Sequence, residues 1–221
     1  MIETKLLIDD VVTQLRQLRI VPVIVIDDPE HAVPLADALV AGGLPCAEVT
    51  FRTAAGAEAL HRIAQERSNL LVGAGTVLTP QQAASARAAG ARFVVAPGFN
   101  PAVVDYCITH ELPVFPGVCT PTDIEAALNR GLQTLKFFPA EPIGGVPYLK
   151  AIAAPYGAID FIPTGGITAT NLADYLAFPR VIACGGSWMA PAERIRAQQF
   201  DRIREDTERA VRAAGAVPGG A

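Results

Sequence analysis

The sequence predicts one α/β domain, a closed (β/α)₈ barrel preceded by an extra N-terminal helix. Eight near-continuous apolar runs of strand length recur along the chain, as strands buried on both faces of a parallel sheet do. Alanine-rich stretches with helical starts and stops lie between them, so the unit is strand, turn, helix, with a period of roughly 20–25 residues. Eight such units in 221 residues fit a compact TIM barrel better than an open doubly wound sheet.

In chain order, residues 1–19 form an amphipathic helix, with Ile8, Val11, Val12, Leu15 and Leu18 at helical spacing and charges between them. Strands are expected at 21–26, 46–51, 70–75, 93–98, 113–118, 134–139, 159–165 and 180–185. Helical segments include 29–41, 79–89, 122–130 and 170–177. Thr79-Pro80, Asn100-Pro101 and Thr120-Pro121 each set a capping side chain before a proline suited to the first helical turn. Gly42-Gly43, Gly90 and Gly131 each follow a helical run and mark its stop. No linker or shift of composition divides residues 1–221, so a single barrel domain is expected, with 214–221 a frayed Gly/Ala/Pro-rich tail.

Composition narrows the function. The chain is 51% hydrophobic and 18% charged, which implies a sizeable core. A net charge of −4 with mixed signs gives no basic stripe and argues against a nucleic-acid partner. No apolar run approaches the roughly 18 residues that cross a bilayer. The N-terminus lacks a basic segment followed by a long apolar run, so no secretory signal and a cytoplasmic location are expected. Cys46, Cys107, Cys119 and Cys184 lack CxxC spacing and read as free thiols. Cys119 follows a strand and is a candidate nucleophile, although no context singles it out. His31, His61 and His110 fall in helical segments as surface residues. A three-ligand metal site does not assemble from these residues, so no metal is expected.

Chemistry in such barrels sits at the C-terminal ends of the strands. The stretch Thr134-Leu135-Lys136-Phe137-Phe138-Pro139-Ala140-Glu141 places Thr134, Lys136 and Phe138 on one strand face. An apolar setting disfavours the ammonium and favours the free amine that a Schiff-base lysine needs. The competing reading is a lysine at a strand end that snorkels to water. Glu48, Thr50 and Arg52 share a face of the second strand. Glu48 suits a proton shuttle, and Arg52 offers a planar fork for a carboxylate. A structural Glu48–Arg52 ion pair plugging the barrel is the alternative. Thr76 ends Gly73-Ala74-Gly75-Thr76, where glycines would let a substrate approach. Gly165-Gly166 and Gly185-Gly186-Ser187, after the last two strands, suit a phosphate held by backbone N–H groups. Together these residues suit an imine-forming lyase acting on a phosphorylated 2-keto acid, with no cofactor required.

Five motifs carry a resemblance: Glu48-Val49-Thr50-Phe51-Arg52-Thr53, Val72-Gly73-Ala74-Gly75-Thr76-Val77-Leu78, Leu135 through Glu141, Pro163-Thr164-Gly165-Gly166-Ile167 and Gly185-Gly186-Ser187-Trp188. In this order, and over nearly the whole chain, they resemble the 2-keto-3-deoxy-6-phosphogluconate (KDPG) aldolase family. The resemblance implies a class I aldolase on a (β/α)₈ barrel, a homotrimer. It implies cleavage of KDPG to pyruvate and glyceraldehyde 3-phosphate in the Entner–Doudoroff pathway, and of 4-hydroxy-2-oxoglutarate to pyruvate and glyoxylate. Carried over residue by residue, Lys136 is the Schiff-base lysine and Glu48 the general acid/base. Arg52 and Thr76 bind the substrate carboxylate, while Pro97, Phe138 and Thr164 line the pocket. Gly165, Gly166, Gly186 and Ser187 hold the phosphate. Cys119 lies at a position that varies in the family. Rival readings are the sister aldolase for the galactonate-derived epimer, a non-catalytic phosphosugar-binding barrel and a metal-dependent epimerase.

Overall fold

In the computed structural model, residues 2–215 are described, with side chains from Leu7 onward. Helix α1 (Ile2–Leu18) runs beneath the barrel, and its buried Val11 and Leu15 pack into one cluster with Val21, Leu71, Phe93, Phe115 and Ile162 from the barrel interior. The apolar stripe predicted for the N-terminal helix is therefore the plug of the barrel's N-terminal end.

The elements then alternate as expected: β1 (Ile20–Ile24), a 3₁₀ turn (Pro29–His31) leading into α2 (Ala32–Ala41), β2 (Cys46–Thr50), α3 (Gly56–Glu66), β3 (Leu71–Gly75), α4 (Pro80–Ala88), β4 (Val94–Val95) and α5 (Pro101–Thr109). The chain continues through β5 (Val114–Phe115), β6 (Gly117–Val118), α6 (Pro121–Leu128), β7 (Thr134–Phe137), α7 (Gly145–Ala153), β8 (Asp160–Pro163), α8 (Leu172–Leu176), β9 (Cys184–Gly186), α9 (Ala192–Arg196) and α10 (Phe200–Gly215). All strand pairs are parallel, in the order β5-β4-β3-β2-β1-β9 and, separately, β6-β7-β8. Bridges Phe161↔Val181 and Thr164↔Gly185 join β8 to the β9 segment, and β5 runs on into β6, so the ring closes.

The expected strand at 113–118 is interrupted at Pro116, which has no N–H to donate. Its carbonyl still accepts the Lys136 N–H at 3.0 Å. The expected strand at 134–139 stops at Phe137 for the same reason, since a proline follows Phe138. The strand at 180–185 shrinks to Cys184–Gly186 plus the bridge at Val181, and the helix at 170–177 to Leu172–Leu176. Thr79, Asn100 and Thr120 cap their helices as expected, Thr120 in a reciprocal box with Asp123. The expected tail is corrected in part: Ala214 is buried and α10 runs to Gly215, whereas 216–221, like Met1, lie outside the described residues.

Interior and exterior faces of the strands divide the core. Leu135 and Phe137 of β7 and Ala47 and Val49 of β2 point outward into the layer beneath the helices. Their strand neighbours point into the barrel, as the period of two requires. Leu15 is fully buried in the plug, so Leu15→Ala should cost about 2–5 kcal/mol. Urea unfolding should show this as a lowered midpoint at unchanged slope; a midpoint like the parent's would mean that α1 does not close the barrel.

Candidate active site

Five polar residues are buried among the described ones, and four of them, Glu48, Thr50, Lys136 and Thr164, belong to the barrel strands or their ends. Lys136 on β7 and Glu48 on β2 spring from opposite sides of the ring and meet near its axis, with Nζ 3.4 Å from Oε1. Their side chains are 7% and 4% exposed, so the lysine does not snorkel to water. The distance is long for a hydrogen bond between these groups. The Phe138 ring lies 5.3 Å from Nζ, on the same strand face. A small cavity lined by Glu48, Lys136, Thr164, Phe93, Phe115 and Ile162 continues down the axis. The Thr164 hydroxyl that borders it is buried without a hydrogen-bond partner. A buried hydroxyl left unsatisfied in this way is a group waiting for a ligand or water.

Strand β3 makes this arrangement possible. A Cβ on Gly75 would fall 2.2 Å from Glu48 Oε1, and one on Gly73 would fall 2.3 Å from the Phe93 ring. The glycines expected to admit a substrate instead admit neighbouring side chains. Next along the chain, Thr76 adopts φ +57°, a left-handed conformation that costs a non-glycine residue about 1–2 kcal/mol. In this conformation its hydroxyl lies 3.4 Å from Arg52 Nε at the barrel rim. Glu48 thus turns to Lys136 and Arg52 to Thr76, and the Glu48–Arg52 plug does not form. Thr50, on the same strand face, donates its hydroxyl to the Ile24 carbonyl at 2.8 Å and serves the sheet. Pro97 is half-buried at the end of the fourth strand, where its carbonyl lies 2.0 Å from a Cβ built on Gly117.

The two double-glycine loops sit side by side because Thr164 bridges Gly185. Gly165 and Gly166 have φ of +101° and +82°. Gly186 is buried under the Trp188 ring, and Ser187 is exposed. Sequence reasoning missed three residues bound to this region: Glu141, Asn171 and Tyr175. Asn171 donates to the Gly166 carbonyl at 3.1 Å, and Tyr175 donates to Glu141 Oε1 at 2.5 Å. These pairings cross turns or tens of residues, and no local pattern announces them.

The remaining candidates are structural or peripheral. His61 is exposed on α3; His31 and His110 are half-buried, His110 stacked on Tyr106 at 3.9 Å between ring centroids. Among the described residues no group of three or more His, Cys, Asp or Glu could hold a metal ion, and no helix is long and apolar enough to cross a membrane. All four cysteines are free. At Cys119, burial and then the Asp123 carboxylate push the thiol up from its usual range, which opposes a nucleophilic role.

A family model described as KDPG and KHG aldolase matches residues 11–205. The 2-dehydro-3-deoxy-phosphogluconate aldolase of Treponema pallidum (strain Nichols) is 51% identical over 203 residues, 92% of this chain and 97% of its own length. Among solved structures, the KDPG aldolase of Legionella pneumophila, with pyruvate captured at low pH as a covalent carbinolamine intermediate, is 41% identical. It superposes with a TM-score of 0.84 over 86% of this chain and 92% of its own. The 2-keto-3-deoxy-6-phosphogluconate aldolase of Zymomonas mobilis ZM4, with 3-phosphoglycerate, is 38% identical, with a TM-score of 0.86 over 96% of this chain and 97% of its own.

The raised Cys119 thiol sets a test by alkylation. Iodoacetamide should modify Cys119 more slowly than free cysteine at neutral pH, with the rate climbing only above the ordinary thiol range, because less thiolate is present. Peptide mapping that found Cys119 labelled faster than free cysteine would restore it as a nucleophile.

Proposed function

The chain belongs to the KDPG and KHG aldolase family, and from that premise we propose that Lys136 forms a Schiff base with KDPG and that the protein cleaves this substrate to pyruvate and glyceraldehyde 3-phosphate. The observation that carries the reading is the buried Lys136–Glu48 pair at the axis, with the Arg52–Thr76 rim beside Glu48. The pyruvate carbinolamine of the Legionella relative is a covalent species of the kind Lys136 would form.

The chemistry follows from the groups present. The substrate carboxylate binds Arg52 and the Thr76 hydroxyl, which the left-handed backbone of Thr76 brings together. The Lys136 amine adds to the C2 carbonyl, and the carbinolamine loses water to give an iminium. Glu48, through a water, takes the proton of the C4 hydroxyl as the C3–C4 bond breaks. The bonding electrons pass to the iminium nitrogen, leaving an enamine, and glyceraldehyde 3-phosphate departs. Protonation of the enamine at C3 and hydrolysis release pyruvate and restore the amine. Phe138 and Pro97 wall the pocket, and Thr164 offers its unpaired hydroxyl to the substrate's distal part. The phosphate lies against the loops of Gly165, Gly166, Gly186 and Ser187, whose backbone N–H groups receive an anion without a basic side chain. A substrate without the phosphate, 4-hydroxy-2-oxoglutarate, uses the same amine and carboxylate site and yields pyruvate and glyoxylate. The enzyme acts in the cytoplasm as a homotrimer, which light scattering of the purified protein would test against a monomer.

Lys136→Ala should abolish turnover of both substrates, and Glu48→Gln should lower kcat by about 10²–10⁴-fold. Ser187→Ala should raise KM for KDPG while leaving 4-hydroxy-2-oxoglutarate unaffected. Steady-state assays on both substrates check the set, and equal losses for Ser187→Ala on the two would remove the phosphate from these loops.

A further inference from the structure

The glycines after β8 are held by two contacts from residues one turn apart at helix α8. Asn171 Oδ1 accepts the Thr168 N–H at 2.8 Å, which orients the amide so that Nδ2 donates to the Gly166 carbonyl at 3.1 Å. Tyr175, fully buried, donates its hydroxyl to Glu141 Oε1 at 2.5 Å. Burial, and then the Glu141 carboxylate, push this phenol up, so it stays protonated and remains a donor. Glu141 in turn donates its N–H to the Gly165 carbonyl at 3.0 Å, and its Cβ lies 2.6 Å from where a Cβ on Gly166 would stand.

These bonds decide which way the loop's donors face. In a planar trans peptide the C=O and the following N–H point in opposite directions. The Gly165 carbonyl faces Glu141, so the Gly166 N–H is turned away from Glu141. The Gly166 carbonyl faces Asn171, so the Ile167 N–H is turned away from Asn171. Left-handed φ at both glycines lets consecutive planes take these orientations, and N–H groups presented in succession form an anion-binding concavity.

We infer that Asn171 and Tyr175, the latter through Glu141, are positioning residues that set the preference for phosphorylated over unphosphorylated keto acids. They do so by holding the Gly165 and Gly166 carbonyls toward the protein, which leaves the next N–H groups to the phosphate. The inference rests on the phosphate lying at these loops. Neither side chain touches the reacting carbons, so the effect falls on phosphate binding and not on the imine chemistry.

Tyr175→Phe removes only the hydroxyl, and Asn171→Ser removes the amide donor without adding charge. Both full-length variants are assayed on KDPG and 4-hydroxy-2-oxoglutarate, with inorganic phosphate as a competing inhibitor and Ser187→Ala in parallel. Each should raise KM for KDPG about ten-fold, a loss on the scale of one hydrogen bond to a charged group. Inhibition by phosphate should weaken in step, with kcat and the KM for 4-hydroxy-2-oxoglutarate unchanged. Equal changes on both substrates, or none on either, overturn the inference. If Ser187→Ala alone raises KM for KDPG, only the role of Asn171 and Tyr175 falls. If none of the three variants does, the phosphate is not at these loops and the assignment beneath falls with it.

Discussion

A lysine and a glutamate are buried 3.4 Å apart inside an apolar barrel, and the residues around them are arranged to permit it. Taking two polar, ionisable side chains out of water costs free energy, and their mutual attraction offsets this only in favourable geometry. Apolar side chains of similar volume would serve the fold as well or better, so stability does not explain the pair. Space for it comes from β3, where Gly73 and Gly75 leave their volume to Phe93 and Glu48. Helix α1 shuts the barrel from below with Val11 and Leu15, so the pair faces the opposite, C-terminal end. A plug, a pair of interior glycines and two opposed strands thus combine to keep one amine away from bulk water and beside one carboxylate.

The polar groups around this pair fall into two regions at the C-terminal end of the barrel. Arg52 and Thr76 stand at the rim beyond β2 and β3, next to the glutamate. Lys136 arrives from the far side of the ring. The glycine loops after β8 and β9 lie beside one another and carry no basic side chain, so any anion there is met by backbone dipoles. Thr164, whose hydroxyl lacks a partner, lies between the two regions and lines the same cavity as the pair.

Much of this was legible in the chain because strands alternate. The period of two puts Lys136 inside and Leu135 and Phe137 outside, and it puts Glu48 inside between Ala47 and Val49; the structure keeps both assignments. Helix caps were legible too, since Thr79, Asn100 and Thr120 act on backbone N–H groups two or three residues away. What escaped depends on contacts distant in sequence. The pairing of Tyr175 with Glu141 spans 34 residues. The left-handed backbone of Thr76 escaped because threonine rarely adopts it. The glycines of β3 were legible as special but were assigned to the wrong neighbour, because a glycine signals a close approach without naming what approaches.

Catalysis in this barrel requires that the buried amine of Lys136 become covalently bound to the keto acid. Borohydride reduction in the presence of pyruvate, followed by intact mass and peptide mapping, tests it most directly. One reduced pyruvyl adduct per chain is expected, on Lys136, with activity lost in proportion. A protein that still cleaved KDPG but gave no adduct, or carried it on another lysine, would contradict it.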